Sequence, residues 1–415
     1  MLCKKYANVY KLLVGRVTTN IADSLFYMAV LWYFKETGHS PFMVAVLLTV
    51  TSGIDMVSFG LGPLIDRISM KKLLNYSTII QAAISAAVVG ALQLGQGGIG
   101  ADAMVLIFYT ASTVLSTIIY PAETKLLPLF VAEKDMLHFN GLFQVTYGVL
   151  DLVLDGFATF LIATTSISMT VVISGVIFAL ALLTYGRLQI NALAKDVLES
   201  EEYFTGSYWK DLRIGWQTLK DEKNILELIL PLCVVNFFYG IFDVGLPYFG
   251  QNYVHDSAIG YGGLLMASSL GGIAGAFLVQ HFKLGKKSME LFIAICFVGA
   301  GVFRLLVPLT AGLSVLLILL NSAVSSLWLT MMNTDFEALV QVSFSSAVLG
   351  RIETINDSIL SVMIPLGTMA GGLVVDRLGS ISTQYIYGVT LLLAAVYYLG
   401  VVRHKAKKQK ESAWH

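Results

Sequence analysis

Five aspartates stand inside long apolar stretches of this chain: Asp23, Asp55, Asp151, Asp155 and Asp243. An ionisable side chain is costly in an apolar medium, so a carboxylate there is expected to bind a proton or a polar ligand. Asp151 and Asp155 are four residues apart and would share one helix face. Because two neighbouring carboxylates resist simultaneous ionisation, this pair predicts a proton carrier. The alternative for each aspartate is a structural hydrogen bond between helices.

The stretches around these side chains form twelve apolar blocks. The chain has 415 residues, 56% hydrophobic and 13% charged, with a mean hydropathy of +0.75, whereas a soluble domain carries about 25% charged residues. Each block, of about 20 residues, could cross a ~30 Å hydrocarbon core as a helix, and none alternates like a barrel strand. The sequence therefore predicts an all-α membrane protein with twelve transmembrane helices. The blocks are 13–34, 42–65, 73–94, 103–120, 140–163, 169–188, 226–249, 261–282, 289–308, 313–333, 354–375 and 381–402.

The distribution of basic residues predicts the orientation. With a cytoplasmic N-terminus and alternating helices, all 27 Lys and Arg residues except Lys35, Arg304 and Arg377 fall on the cytoplasmic side. Such a bias sets the topology of membrane proteins, so we expect a multi-pass protein of the cell inner (plasma) membrane with both termini in the cytoplasm. Arg16 and Arg304 lie near block ends, where their long side chains are expected to reach the interface. The net charge of +0 suggests no nucleic-acid partner.

The chain divides into two similar halves at its longest polar segment. Gly62 and the lysine pair after it recur about half the chain later at Gly275 and its lysine pair. Parallel six-helix repeats are a transporter architecture, so the halves predict two six-helix bundles. The predicted domains are an N-terminal bundle at 1–188, a cytoplasmic linker at 189–225, a C-terminal bundle at 226–402 and a basic cytoplasmic tail at 403–415.

The loop after the second block carries a recognisable motif. It reads Gly62-Pro63-Leu64-Ile65-Asp66-Arg67-Ile68-Ser69-Met70-Lys71-Lys72. A glycine, an Asp-Arg pair four residues on and a basic pair resemble the loop between the second and third helices of the major facilitator superfamily. Further segments resemble its drug- and macrolide-exporter branch, with 121–140 as the connection between the fourth and fifth helices and 341–376 as the region of the tenth and eleventh.

The resemblance implies a cytoplasmic gate. Asp66 can meet both the guanidinium of Arg351 and the positive end of the eleventh helix, and this contact would break when the halves rock. The predicted gating motif comprises Gly62, Asp66, Arg67, Lys71, Lys72 and Arg351. The alternative is that Arg67, Lys71 and Lys72 only set the topology.

The resemblance also implies which side chains line a central cavity, because the first, fourth, seventh and tenth helices enclose it in that fold. Candidates for substrate binding or proton coupling are the two aspartates of the fifth helix and the polar residues of the cavity helices. They are Asn20, Asp23, Asp151, Asp155, Asn236, Tyr239, Asp243 and Asn321.

Together these features predict a secondary active transporter, a proton-coupled exporter of a small amphipathic compound (a drug, macrolide, siderophore or similar metabolite) working by alternating access as a monomer. The Gly-Pro antiporter signature of the fifth helix is not present, which weakens the case for antiport. An uncoupled facilitator or importer on the same fold remains an alternative. A membrane-embedded enzyme is a distant one, since the sequence shows no nucleotide-binding loop and no Ser/His or metal constellation. We predict no cofactor and no metal.

Overall fold

Twelve α-helices make up most of the chain. The computed structural model describes residues 6–37, 40–57, 69–94, 98–131, 135–189, 216–217, 220, 223–282, 288–343, 356 and 358–412. Within these ranges the helices are α1 (Ala7–Glu36), α2 (Phe42–Val57), α3 (Met70–Leu94), α4 (Ile99–Phe130), α5 (Met136–Thr164), α6 (Ile167–Gly186), α7 (Lys223–Tyr253), α8 (Ala258–Phe282), α9 (Met289–Leu309), α10 (Val315–Ser343), α11 (Ile364–Leu378) and α12 (Ser380–Ser412). The predicted all-α architecture with twelve helices is confirmed.

Most of these helices are long and apolar enough to cross a membrane. Nine in the described ranges contain a suitable apolar window, and 42–54 and 153–164 are shorter apolar helices. Large side chains such as Leu270 and Phe277 of α8 are more than half exposed, as expected where a helix faces lipid rather than water. The length of α1 is sufficient as well, although it carries the ionisable residues Arg16 and Asp23.

The chain forms two compact units. Unit 1 comprises Met1–His39 and Val50–Ser207, and unit 2 comprises Ser40–Thr49 and Tyr208–His415. The first half of α2 therefore belongs with the later helices. In unit 2 the Thr49 and Thr368 hydroxyls lie 2.7 Å apart.

Within each of the two units, corresponding helices pack against each other. In unit 1, α1 packs against α5 and α6, while α3 packs against α4 and α6. In unit 2, α7 packs against α11 and α12, while α9 packs against α10 and α12. Each contact of the first set recurs six helices later, which is the pattern expected of two six-helix repeats.

Two helix ends differ from the sequence prediction. The expected connection at 121–140 is wrong, because α4 continues to Phe130 and α5 begins at Met136. Proline removes a helical hydrogen bond, but transmembrane helices tolerate it where neighbouring groups compensate. As a result, Glu123 lies inside α4. At the other end of the chain, α12 continues into the basic tail, where Lys405 Nζ pairs with Glu290 Oε1 of α9 at 2.7 Å.

Close helix contacts in unit 2 depend on glycine. A Cβ at Gly271 of α8 would lie 1.9 Å from the Ala323 carbonyl oxygen of α10, whereas one at Gly263 of the same helix would have no neighbour within 3.8 Å. We expect Gly271→Ala to force the two helices apart and to lower the free energy of unfolding by about 1–3 kcal/mol. Thermal unfolding in detergent measures the effect, with Gly263→Ala as the matched control. Equal melting temperatures would contradict this prediction.

Candidate functional site

A polar cluster around Asp23 joins three helices of unit 1. Asp23 Oδ1 of α1 accepts hydrogen bonds from Ser116 Oγ of α4 at 2.5 Å and from Gln81 Nε2 of α3 at 3.2 Å. Gln81 Nε2 also donates to Ser116 Oγ at 2.8 Å, so the two donors are linked to each other. Both donors are uncharged. The cluster therefore holds a carboxylate inside the bundle by hydrogen bonds from neutral groups.

Two further polar atoms of this cluster have unused hydrogen-bonding capacity. Asn20 Nδ2, one turn before Asp23, and Gln81 Oε1 are buried and make no hydrogen bond within the described ranges. Buried polar atoms are normally hydrogen-bonded, so such atoms call for a water molecule or a ligand group. Asn20 and Asp23 thus form a polar position on α1 that could accept a proton or a polar ligand.

A second buried charge cluster lies about two turns before Asp23 on α1. Arg16 Nη1 lies 3.2 Å from Glu123 Oε2 of α4, and the two side chains are only 7% and 2% exposed. The Tyr185 hydroxyl of α6 donates to Glu123 Oε1 at 2.5 Å, and Thr19 Oγ1 lies 3.4 Å from that hydroxyl. Arg16 therefore does not reach the interface as expected, because a carboxylate of the neighbouring helix pairs with it inside the bundle.

The fifth helix contributes one described carboxylate to unit 1. Asp155 Oδ1 accepts a hydrogen bond from Ser24 Oγ of α1 at 2.5 Å. Asp155 therefore lies beside α1, where its partner Ser24 is the residue that follows Asp23. The side chains of Asp55 and Asp151 lie outside the described part of the structure, so the pairing of Asp151 with Asp155 stays a prediction.

In unit 2, two of the candidate residues make hydrogen bonds between helices, whereas Tyr239 is exposed. Asn236 Nδ2 donates to the Leu360 carbonyl at 2.8 Å, and Asn321 Nδ2 donates to Thr310 Oγ1 at 3.3 Å. Both are hydrogen bonds of the kind that stabilise helix packing. Tyr239, by contrast, is 38% exposed, and Asp243 one turn later interacts with it electrostatically.

An aromatic group with a buried cation surrounds Tyr239. Its ring centroid lies 6.0 Å from that of Phe242 and 5.9 Å from that of Tyr387 on α12. The guanidinium of Arg304 lies over the Phe242 ring at 4.5 Å, and this side chain is 3% exposed. The expectation that Arg304 reaches the interface is therefore wrong, because a cation–π contact holds it among aromatic rings.

The gating motif falls largely outside the described residues. Gly62, Asp66, Arg67 and Arg351 lie in 58–68 and 344–355, which the structure does not describe. Lys71 Nζ donates to the Leu188 carbonyl just after α6 at 2.6 Å, while Lys72 is exposed. The contact of Lys71 joins the start of α3 to the end of α6 within unit 1.

Comparison with known proteins identifies the family. The Major Facilitator Superfamily profile matches residues 12–358, which is most of the chain. The chain belongs to the Major Facilitator Superfamily. Macrolide efflux protein A of Streptococcus pyogenes is 21% identical over 396 residues, covering 94% of this chain and 95% of that protein.

Solved structures of transporters share the fold of this superfamily member. The nucleoside transporter NupG has a TM-score of 0.68 at 13% identity, covering 95% of this chain and 98% of that one. A bacterial homologue of the iron transporter ferroportin, in an inward-facing state, has a TM-score of 0.68 at 15% identity over 95% of this chain and 98% of that one. The chain is thus a multi-pass membrane transporter with a small-molecule substrate, not an enzyme.

Glu123 is a candidate residue of this superfamily member that the sequence did not predict. Pro121 suggests a loop, so sequence reasoning places Glu123 in a connection and apart from Arg16. One signal was present in the spacing: Glu123 follows Ser116 on α4, and Asp23 follows Arg16 on α1, in each case by about two helical turns. Matched spacings on two packed helices bring both pairs to one interface.

Proposed function

We propose that this transporter is a proton-coupled exporter of a small amphipathic compound, such as a drug, a macrolide or a siderophore. The observation that carries the proposal is the position of Asp23, a carboxylate inside the helix bundle whose hydrogen-bond donors, Ser116 and Gln81, are both uncharged. Intramembrane carboxylates of this kind mark proton relays in transporters. Export is supported by the 21% identity to a protein named for macrolide efflux.

Protonation of Asp23 would change the contacts between three helices. The ionised carboxylate only accepts hydrogen bonds, whereas the protonated acid becomes a donor at one oxygen and loses its charge. Ser116 and Gln81 would then lose part of their attraction to α1, and the helices would favour a different arrangement. A ligand or proton shifts a conformational equilibrium by its difference in affinity for the two states, which is how we expect the proton to drive alternating access.

We propose that substrate contacts lie near Asn20 in unit 1 and near Tyr239 and Asp243 in unit 2. Asn20 Nδ2 is an unused donor, and the exposed Tyr239 ring offers an aromatic face beside a carboxylate. An amphipathic compound needs an apolar surface and a few polar partners, and within unit 2 the Tyr239 ring with Asp243 provides both. Asn236 and Asn321 each use one amide N–H in a helix contact, so a second N–H and the amide oxygen would be the groups that contact a substrate.

We propose the domains, the cytoplasmic gate and the orientation that the sequence predicts. The proposed domains are two six-helix bundles at 1–188 and 226–402, joined by the linker 189–225 and followed by the cytoplasmic tail 403–415. The gating motif, with Asp66 and Arg351 at its centre, would hold the cytoplasmic side shut. We expect a monomer in the inner (plasma) membrane with both termini in the cytoplasm.

Transport measured in proteoliposomes tests the proposal. A panel of labelled compounds that includes a macrolide is assayed with and without an imposed pH gradient. We expect at least one amphipathic compound to accumulate against its own gradient in an acidic lumen. Uptake at the same rate without a pH gradient would instead indicate an uncoupled facilitator or importer.

The two aspartates of α5 provide a separate prediction. Asp151→Asn/Asp155→Asn removes both carboxylates of α5, and we expect it to abolish coupled transport while leaving a folded protein. Ser24→Ala is the matched control, because it removes only the donor to Asp155, an interhelical hydrogen bond whose loss costs about 1 kcal/mol. Gradient-driven uptake and size-exclusion chromatography measure the two properties. Full uptake by the double variant would rule out a coupling role for this pair.

A further inference from the structure

Two buried carboxylates of unit 1, those of Glu123 and Asp23, interact with the guanidinium of Arg16. Arg16 Nη1 lies 3.2 Å from Glu123 Oε2, and Arg16 also attracts Asp23 electrostatically from about two turns away on α1. On α4, Ser116 binds Asp23 at 2.5 Å, and Glu123 follows Ser116 by about two turns. Among the described residues, this part of the interface between α1 and α4 therefore brings one guanidinium together with two carboxylates.

Arg16 is in direct contact with Glu123, whereas it acts on Asp23 from about two turns away. Glu123 is in direct contact with the guanidinium, and the Tyr185 hydroxyl fixes its second oxygen at 2.5 Å. The hydrogen-bond donors to Asp23 among the described residues, Ser116 and Gln81, are neutral. An ionised Glu123 in contact with Arg16 would offset part of the positive charge that acts on Asp23. Without Glu123, the full charge of Arg16 would act on Asp23.

We propose that Glu123 is a further residue of the proton-coupling site, which neutralises Arg16 and thereby leaves Asp23 free to bind and release a proton. The inference rests on the proposed function, since it takes Asp23 as the proton carrier. Glu123 acts through Arg16 and is a positioning residue. Other titratable groups that face α1 in the described ranges are Tyr185 of α6, Asp155 of α5, and Tyr109 and Asp102 of α4, and none of them changes in the test below.

The test follows the proton directly and needs no substrate. The infrared C=O stretch of neutral carboxylic acids is recorded over a pH series on the full chain in lipid. The part of this band that is lost in Asp23→Asn belongs to Asp23, and its midpoint is then compared in the wild type, in Glu123→Gln and in Arg16→Gln/Glu123→Gln. A nearby cation favours the ionised acid, so the midpoint moves to lower pH where Arg16 is unopposed.

We expect the midpoint of the Asp23 band to depend on the balance between the charges of Arg16 and Glu123. In Glu123→Gln the midpoint of the Asp23 band falls by about one pH unit or more. In Arg16→Gln/Glu123→Gln both charges are gone, and the midpoint returns close to that of the wild type. Thermal unfolding of each variant verifies that it is folded, and the double variant also covers the case in which Glu123→Gln alone misfolds.

Different failures have different meanings. A midpoint that is the same in Glu123→Gln as in the wild type overturns the inference and leaves the proposed function standing, because the ion pair would then be purely structural. So does a double variant whose midpoint is clearly shifted from that of the wild type. A band that does not change between the wild type and Asp23→Asn at any pH removes Asp23 as the proton carrier, and the proposed function fails with it.

Discussion

Asp23→Asn should abolish proton-driven accumulation without unfolding the protein. The amide has nearly the same shape as the carboxylate and still accepts hydrogen bonds from Ser116 and Gln81, so the helix contacts persist. It cannot gain or lose a proton at neutral pH, so the pH gradient no longer acts on the transport cycle.

The expected size of this effect follows from the gradient. One pH unit corresponds to about 1.4 kcal/mol per proton, so a one-proton exchanger accumulates a neutral substrate about tenfold. We expect the wild type to approach this accumulation ratio, whereas the ratio for Asp23→Asn should stay at about one. The assay is accumulation, in proteoliposomes with an acidic lumen, of a labelled uncharged compound that the wild type transports.

The matched control for this substitution is Asp102→Asn. Asp102 is also buried in unit 1, in the first turn of α4, where it accepts a hydrogen bond from the Tyr33 hydroxyl at 2.6 Å. It has no part in the proposed coupling site, so accumulation should persist. If Asp23→Asn accumulates substrate as the wild type does, Asp23 is not the coupling residue.

Arg16→Met should strongly destabilise unit 1. It leaves Glu123, which is 2% exposed, without its cation. Removing one partner of a buried ion pair costs about 3–5 kcal/mol, because the remaining charge has lost both water and its counter-ion. At about 2–4 °C for each kcal/mol, thermal unfolding in detergent should move down by roughly 10 °C.

Two further variants separate charge from packing in this prediction. Arg16→Met/Glu123→Leu removes both charges, and we expect it to recover most of the lost stability, since apolar replacements of buried ion pairs are often neutral. Lys405→Met breaks the Lys405–Glu290 pair, whose lysine side chain is 39% exposed, and should cost about 1 kcal/mol at most. A double variant no more stable than Arg16→Met would show that packing, and not the unpaired charge, explains the loss.

Sequence alone determined the class of protein and the number of helices. Block length and composition are direct consequences of the thickness and polarity of the bilayer, so they can be read without knowing any contact between helices. Asp23 was identified in the same way, because a carboxylate in an apolar block is costly wherever its helix packs. The motif at Gly62 then indicated the family that the profile match identifies.

Only the tertiary structure decided which polar residues act together. Arg16 and Glu123 are far apart in sequence. From the sequence, Arg16 lies near a block end and Glu123 lies in a connection, whereas in the structure α4 continues through Pro121 and Glu123 pairs with Arg16. Arg304 was likewise expected at the interface but stacks on Phe242. The physical reason is that burial of a charge depends on its partners on neighbouring helices, and a pattern along one helix does not contain those partners.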